Sequence, residues 1–209
     1  MRTCCIITAY FEGDLQKLVS KLKPGYLICA DGGCELATSA GIIPDIVIGD
    51  ADSGQMSGPP DGKTEFLRFP QEKDESDTFL CIKHAISLGF NEITVAGGIG
   101  GRLDHTISNI QTLAHFSGAD RRISAIDENN FFTIIENSEI KLSKGDYSYI
   151  SLFSLSDSCT GVTAEGLYYP LDEAVLRNDY PLGLSNRFTG DAVTVKVENG
   201  KLLIIMSKE

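Results

Sequence analysis

Long hydrophobic runs are missing from this 209-residue sequence. No stretch reaches the ~20 apolar residues that a membrane-spanning helix needs. The apolar stretch near its start is also too short for the hydrophobic region of a secretory signal peptide. We therefore expect a cytoplasmic protein that has no membrane partner.

Tryptophan is absent, histidine occurs only three times, and none of the six cysteines forms a Cys-x-x-Cys pair. Without such pairs or clustered histidines, a zinc site is not expected. Several cysteines lie in apolar segments, which is typical of buried free thiols in a reducing compartment. The six are Cys4, Cys5, Cys29, Cys34, Cys81 and Cys159.

Basic residues are few, with 18 Lys and Arg against 29 Asp and Glu, and the net charge is -11. This excess of negative charge argues against nucleic acid or an anionic membrane as a partner. A small anionic ligand remains compatible with it if a metal ion or local basic groups neutralise the ligand.

The first two thirds of the chain alternate between strand-like and helix-like segments, which predicts βαβ units and a mostly parallel sheet with flanking helices. Apolar runs predict strands at residues 4–9, 26–30, 46–48, 65–69, 91–96 and 122–126. Apolar periodicity predicts helices at residues 14–22, 34–40, 74–88 and 102–116. In the last helix, the spacing predicts one buried face made by Leu103, Ile107, Ile110 and Leu113.

From about residue 131 the segments become short and rich in β-branched and aromatic residues, which predicts an all-β sandwich. The expected strands lie at residues 132–136, 139–142, 147–154, 161–164, 192–198 and 201–206. Glu198-Asn199-Gly200-Lys201 predicts a hairpin between the last two. We expect an α/β domain at 1–130 and a β-sandwich domain at 131–209.

Three polar segments directly follow predicted strands: Asp31-Gly32-Gly33, Gly49-Asp50-Ala51-Asp52-Ser53 and the glycine run at 97–101. Ligands of open parallel sheets bind beyond the carboxyl ends of the strands, so these segments are candidates for one site. Asp50 and Asp52 project to the same side of an extended chain. Two carboxylates about 5 Å apart repel by roughly 3 kcal/mol at a dielectric near 20, and a divalent cation would relieve that repulsion. The alternative is a pair of aspartates that only punctuate a turn.

The glycine run precedes Arg102-Leu103-Asp104-His105 at a predicted helix start. Glycines allow a close approach of backbone to ligand, the first helical turn favours an anion, and a guanidinium suits phosphate. The run is not a dinucleotide fingerprint, whose third glycine would fall on Leu103, and no Walker lysine follows it. The alternative is a flexible turn with a solvated Arg102 and an Asp104 that stabilises the helix dipole.

Two further segments are candidates. Lys73-Asp74-Glu75-Ser76-Asp77 opens a predicted helix, on which Asp74 and Asp77 would share a face beside a lysine suited to phosphate. Ordinary acidic residues at a helix start are the alternative.

In the β region, Tyr168 and Tyr169 precede Ser185-Asn186, and an aromatic face near a hydroxyl and an amide suits a flat heteroaromatic ligand. Alternatively, the two tyrosines belong to the core and rim of the sandwich.

In this order, the segments resemble those of the thiamine pyrophosphokinase family, over nearly the whole chain. The motifs are Ala30-Asp31-Gly32-Gly33, Pro44-Asp45 before Gly49-Asp50-Ala51-Asp52-Ser53, Lys73-Asp74-x-Ser76-Asp77, Gly97-Gly98-x-Gly100-Gly101-Arg102-x-Asp104-His105, and Thr163-x-Glu165-Gly166-Leu167 with Ser185-Asn186. The chain departs from the family at Ala51, where members often have phenylalanine, and at Ser76, which replaces a common threonine. It also has no tryptophan after Leu167, where many members place one. None of these departures removes a charged group that the reaction needs.

The resemblance implies a Rossmann-like nucleotide-binding domain followed by a β-sandwich. The implied reaction is transfer of pyrophosphate from ATP to the thiamine hydroxyl, which gives thiamine diphosphate and AMP. Mg²⁺ would be held by Asp50, Asp52 and Asp77, supported by Asp74, and phosphate by Gly100, Gly101 and Arg102. The other ATP-binding residues implied are Asp31, Gly32, Gly33, Ser53, Lys73, Gly98, His105 and Asn109.

Thiamine would face Ser185 and Asn186, with Tyr169 as a stacking surface, in a homodimer that binds thiamine where the subunits meet. The acceptor of the thiamine hydroxyl proton stays open between Asp104 and a metal-bound phosphate oxygen. Two other functions remain: a nucleotide- or thiamine-binding sensor without catalysis, and a pyrophosphokinase for another hydroxylated heterocycle.

Overall fold

The computed structural model describes residues 2–50, 62–70, 72, 74–118 and 120–209. The chain divides into two compact units, Met1–Thr112 with Ala125–Glu128 and Leu113–Ser124 with Asn129–Glu209. We call them the N-terminal unit and the C-terminal unit. The expected domain boundary after residue 130 stays a prediction. Within the described ranges, no helix is long and apolar enough to cross a membrane.

Five parallel strands form the sheet of the N-terminal unit, in the order β5-β1-β2-β3-β4. They are β1 (Thr3–Ile7), β2 (Tyr26–Ala30), β3 (Ile46–Asp50), β4 (Glu65–Phe69) and β5 (Glu92–Ala96). The strands β1 to β3 are buried almost throughout, as expected for a parallel sheet covered on both faces. Because parallel pairing aligns the strands, all five carboxyl ends lie on one side, which we call the carboxyl edge.

Four helices accompany these strands in the described part of the chain: α1 (Leu15–Leu22), α2 (Gly33–Ser39), α3 (Asp77–Ser87) and α4 (Leu103–Phe116). The Asp14 carboxylate caps α1 by accepting from the Lys17 amide at 2.9 Å, and the Ser76 hydroxyl caps α3 by accepting from the Phe79 amide at 3.2 Å. The expectation that Asp74 shares a helical face with Asp77 is wrong, because the cap at Ser76 starts the helix after Asp74.

The predicted buried face of α4 is also wrong over its first two turns. Leu103 is 71% exposed and Ile107 is 49% exposed, whereas Asn109 and Leu113 are buried. The covered side of this half of the helix carries polar residues, which hydrogen-bond to the preceding glycine loop. Apolar periodicity therefore pointed to the wrong face, since here the buried contacts are made by a hydroxyl and an amide.

The C-terminal unit is the expected sandwich of antiparallel strands, and the predicted fold class is confirmed. One layer has the order β12-β9-β14-β7 and the other the order β11-β10-β13-β8. Ile150 and Leu202 from the first layer and Val162 and Val195 from the second share one core. The strand β6 (Arg122–Ile126) precedes these two layers in the chain. The strands of the layers are β7 (Asn130–Glu136), β8 (Glu139–Ser143), β9 (Tyr149–Ser154), β10 (Ser158–Glu165), β11 (Leu171–Arg177), β12 (Gly183–Arg187), β13 (Ala192–Lys196) and β14 (Lys201–Ser207).

Two of these strands, β11 and β12, are missing from the sequence prediction. Both lie at the end of a layer, and most of their side chains are exposed. Edge strands need no buried β-branched run, so the apolar pattern that marks the other strands is weak here.

The predicted hairpin at Asn199-Gly200 is wrong. The strands β13 and β14 do not pair with each other, because β13 pairs with β8 and β10 while β14 pairs with β7 and β9. The turn therefore crosses from one layer of the sandwich to the other. The Gly200 amide donates to Oδ1 of Asn137 at 2.8 Å, and this hydrogen bond holds the turn against the end of β7.

All six cysteines are free, and five of them are buried, with Cys34 half-buried. The expectation of buried free thiols is thus confirmed for five. Burial raises the pKa of the Cys4 and Cys5 thiols to about 12, which keeps them protonated and unreactive near neutral pH.

Replacement of Gly200 by alanine should destabilise the C-terminal unit. Gly200 has a φ of 108°, and an added Cβ would lie 2.9 Å from the Ser158 carbonyl oxygen. We expect Gly200→Ala to lower the free energy of unfolding by about 1–3 kcal/mol, measured by urea denaturation. Gly190→Ala is the matched control, because its Cβ would meet nothing within 4 Å. Equal stability of the two variants would contradict the strain at the crossing turn.

Candidate active site

The structure brings three of the predicted segments to the carboxyl edge of the N-terminal unit. Asp31 follows β2, Asp50 ends β3, and the glycine loop, which we define as residues 97–101, follows β5. The strand between β2 and β5 is β1, whose carboxyl end continues through Thr8 to Tyr10. These segments therefore lie side by side, as the rule for ligand sites in open parallel sheets predicts.

Asp31 and Gly49 approach each other closely where β2 and β3 end. The Asp31 amide donates to the Ile48 carbonyl at 2.8 Å, and Asp31 adopts a positive φ of 24°. A Cβ on Gly49 would lie 2.8 Å from the Asp31 Cβ and 2.9 Å from its Oδ1. A side chain at position 49 would therefore collide with Asp31, and the glycine there lets the Asp31 side chain lie against the end of β3.

Gly33 begins α2 in a position that only glycine can occupy. A Cβ there would overlap the carbonyl oxygen of Ile7, the last residue of β1. Gly32, which precedes it, would bring a Cβ to 3.0 Å from the Ala9 Cβ. These two glycines let the start of α2 pack against the carboxyl end of β1 and the residues that follow it.

The predicted metal ligands are only partly described. Asp50 is half-buried at the end of β3, and Asp77 is half-buried as the first residue of α3, whereas Asp74 is exposed before that helix. Asp52, Ser53 and Lys73 lie outside the described residues. Within the described residues, no group of three or more His, Cys, Asp or Glu side chains could hold a metal ion. The three-aspartate set thus stays a prediction that depends on Asp52.

The glycine loop is held in a defined shape. Gly97, Gly98, Gly100 and Gly101 all have φ between 63° and 93°, which side chains with a Cβ rarely adopt. From α4, the Asn109 Nδ2 donates to the Gly98 carbonyl at 2.8 Å, and the Thr106 hydroxyl accepts from the Gly100 amide at 3.1 Å.

Two consequences follow for the predicted ATP ligands in this loop. The Asn109 Nδ2 is engaged with the loop and the Gly100 amide has a protein acceptor, so both residues shape the loop, and their contact with ATP stays a prediction. Thr106 was missed by sequence reasoning. Its position three residues before Asn109, on the same helical face, is the signal that could have found it.

Arg102 pairs with Asp104 in the first turn beyond the loop. Its Nε and Nη2 lie 3.1 Å and 2.6 Å from the two carboxylate oxygens, and the His105 amide donates to Oδ1 at 3.0 Å. The hydrogen bond from Arg102 is the main cause that lowers the pKa of Asp104 below its ordinary value. Asp104 is therefore a weak proton acceptor. Both side chains are well exposed, at 73% and 64%, so the pair is weak and Arg102 can turn to an anion.

The predicted thiamine residues lie together in the C-terminal unit. Asn186 is buried, and its side chain accepts from the Tyr169 amide at 3.0 Å and donates to the Tyr169 carbonyl at 2.6 Å. Ser185 adopts a φ of 56°, and its amide donates to the Ser151 hydroxyl at 2.9 Å. Asn186 thus ties the segment at Tyr169 to β12, and Ser151, which sequence reasoning missed, holds the backbone of β12 at Ser185.

Of the alternative that Tyr168 and Tyr169 belong to the core and rim of the sandwich, the core is excluded. They are 66% and 67% exposed, with ring centroids 4.9 Å apart in an edge-to-face arrangement. An exposed aromatic pair is available to a ligand or a partner surface.

Comparisons with known proteins agree over the whole chain. The family model for the thiamin pyrophosphokinase catalytic domain matches residues 15–125, and the model for its vitamin B1 binding domain matches residues 137–202. Thiamine pyrophosphokinase of Bacillus subtilis (strain 168) is 30% identical over 186 residues, which cover 87% of this chain and 87% of that protein. Thiamin pyrophosphokinase 1 of Caenorhabditis elegans is 23% identical over 220 residues, which cover 97% of this chain and 90% of that protein. The crystal structure of the Bacillus subtilis protein superimposes with a TM-score of 0.87 at 25% identity and full coverage of both chains.

Proposed function

We propose that this chain, which belongs to the thiamine pyrophosphokinase family, transfers a pyrophosphoryl group from ATP to the hydroxyl of thiamine and releases AMP. The observation that carries the proposal is the meeting of Asp31, Asp50 and the glycine loop at the carboxyl edge. The family match supports ATP and thiamine as the substrates, and the glycine loop at the start of α4 supports a phosphate site at this edge.

The reaction forms a bond between the thiamine oxygen and the β-phosphorus of ATP and breaks the bond between that phosphorus and the α,β-bridging oxygen. Such transfers need in-line placement and charge neutralisation more than covalent help from the protein. In our proposal, the glycine loop from Gly98 to Gly101 and the guanidinium of Arg102 bind phosphate at the start of α4, with His105 and Asn109 nearby. Asp31, Gly32 and Gly33 form the neighbouring wall of the ATP site, with Ser53 and Lys73 as further ATP ligands.

Asp50, Asp52 and Asp77 are proposed to hold Mg²⁺, with Asp74 in support. Carboxylates, phosphates and water are the ligands that Mg²⁺ prefers, and the described ends of β3 and α3 contribute two of the carboxylates. The bound ion would neutralise charge on the transferred phosphates. When Arg102 turns to the phosphates it no longer lowers the pKa of Asp104, so the proposed acceptor of the thiamine proton is either Asp104 or a phosphate oxygen.

The thiamine site is proposed at the segment of Tyr169, Ser185 and Asn186 in the C-terminal unit. Tyr169 would offer its exposed ring to the heteroaromatic substrate, and Asn186 would hold the Tyr169 backbone in place. Ser185, which is exposed in β12, would contribute the polar contact.

Product analysis tests the proposed reaction. With ATP, thiamine and Mg²⁺, we expect AMP and thiamine diphosphate in equal amounts, resolved by ion-exchange chromatography. ADP together with thiamine monophosphate would contradict the reaction. Tight binding of ligand without product would identify a sensor instead, and a panel of hydroxylated heterocycles would reveal a different acceptor.

The metal ligands can be tested by replacing each aspartate with asparagine. We expect Asp50→Asn, Asp52→Asn and Asp77→Asn each to lower kcat by about a hundredfold or more, because an amide cannot supply the charge that holds Mg²⁺. Asp14→Asn is the matched control, since asparagine caps α1 equally well. Unchanged turnover in any of the three variants, with circular dichroism showing an intact fold, would remove that residue from the metal site.

We also propose that the protein is a homodimer in which the C-terminal units contribute to the interface. The edge strands β11 and β12 carry Val175, 54% exposed, and Leu184, 56% exposed. Exposed apolar side chains on edge strands invite association unless a partner covers them.

Sedimentation equilibrium tests the dimer. We expect the chain at twice its monomer mass, and we expect Val175→Glu to weaken the dimer and to raise the KM for thiamine. Ile43→Glu, at a site 60% exposed in the N-terminal unit, is the matched control. A wild-type protein that is monomeric while fully active would refute the shared thiamine site.

A further inference from the structure

Tyr10 contacts the glycine loop at its backbone and at its ring. Its carbonyl oxygen accepts from the Gly98 amide at 2.9 Å, and the Thr8 hydroxyl lies 3.1 Å from the same oxygen. A Cβ added at Gly97 would overlap this carbonyl. The chain after β1 therefore runs directly beneath the start of the loop.

The ring of Tyr10 lies against the second half of the loop. A Cβ at Gly100 would be 3.3 Å from Cε1 of the ring, and a Cβ at Gly101 would be 3.3 Å from Cε2. Since Cε1 and Cε2 are on opposite edges of the ring, the phenyl group spans both glycines. These are the glycines proposed to approach phosphate.

The hydroxyl of Tyr10 has a hydrogen-bond partner of its own. The Tyr10 hydroxyl donates to a carboxylate oxygen of Glu12 at 3.3 Å, and the charge of Glu12 raises the pKa of the phenol, which therefore stays protonated. The side chain remains 40% exposed, so it is not part of the hydrophobic core. The ring of Tyr10 therefore makes its packing contacts with the backbone of the glycine loop.

We propose that Tyr10 is a positioning residue, whose ring holds Gly100 and Gly101 in the conformation that binds the phosphates of ATP. The inference rests on the proposed function, and it adds a residue that lies outside the motifs of the sequence analysis. The loop is then held from two sides, by Thr106 and Asn109 of α4 and by Tyr10 beyond β1.

Three variants separate this role from a general loss of stability. Tyr10→Ala removes the ring, and Tyr10→Phe keeps the ring without the hydroxyl. Tyr26→Ala removes a different ring, which is half-buried and stacks on Phe90 with the ring centroids 5.4 Å apart. Tyr26 begins β2, at the end of the sheet away from the carboxyl edge. It is therefore the matched control for lost aromatic packing.

We expect Tyr10→Ala to raise the KM for ATP by about tenfold or more, because a displaced loop misplaces the phosphates. The KM for thiamine should not change, and Tyr10→Phe should restore the wild-type KM for ATP. Amide hydrogen exchange at Gly100 and Gly101 should become faster in Tyr10→Ala only. Tyr26→Ala should lower Tm and leave the KM for ATP unchanged.

Two kinds of failure are distinguishable. An active wild type whose KM for ATP and loop exchange are unaffected by Tyr10→Ala overturns the role of Tyr10 alone, as does a Tyr10→Phe variant that is as impaired as Tyr10→Ala. A wild type that neither binds ATP in calorimetry nor forms AMP overturns the proposed function, and the positioning role with it.

Discussion

Parallel pairing of the strands β5-β1-β2-β3-β4 is the constraint on which the candidate active site depends. Each strand alone would end in an ordinary turn. Because the strands run in one direction, the turns after β1, β2, β3 and β5 come to one edge, and residues up to about 90 positions apart in sequence become neighbours, as at Thr8 and Ala96. Gly49 and Gly33 then permit the close approaches that this edge requires.

The parallel sheet of the N-terminal unit could be anticipated, because buried apolar runs that alternate with short helices leave few alternatives to it. The face of α4 could not, because periodicity weighs only hydrophobicity. At Thr106 and Asn109, covered positions are polar, since they bond to the backbone of the glycine loop. The error coincides with the proposed binding site, where sequence patterns that predict structure are most often broken for the sake of function.

A different physical reason explains the errors in the C-terminal unit. Asn199-Gly200 supplies a tight turn, but turn chemistry alone does not say whether the next strand pairs with the last one or crosses to the other layer. That choice depends on which partners β13 and β14 find at long range. Likewise, the roles of Asn186 and Tyr169 emerge only when their hydrogen bonds are seen, because one residue fixes the backbone of the other.

The central claim is that ATP binds at the carboxyl edge, with its phosphates at the start of α4. A crystal structure with Mg²⁺, thiamine and a non-hydrolysable ATP analogue tests it most directly. The account predicts phosphate oxygens within hydrogen-bonding distance of Gly101 and Arg102, and the metal ion beside Asp50. Phosphates bound to the C-terminal unit, or away from the glycine loop, would contradict it.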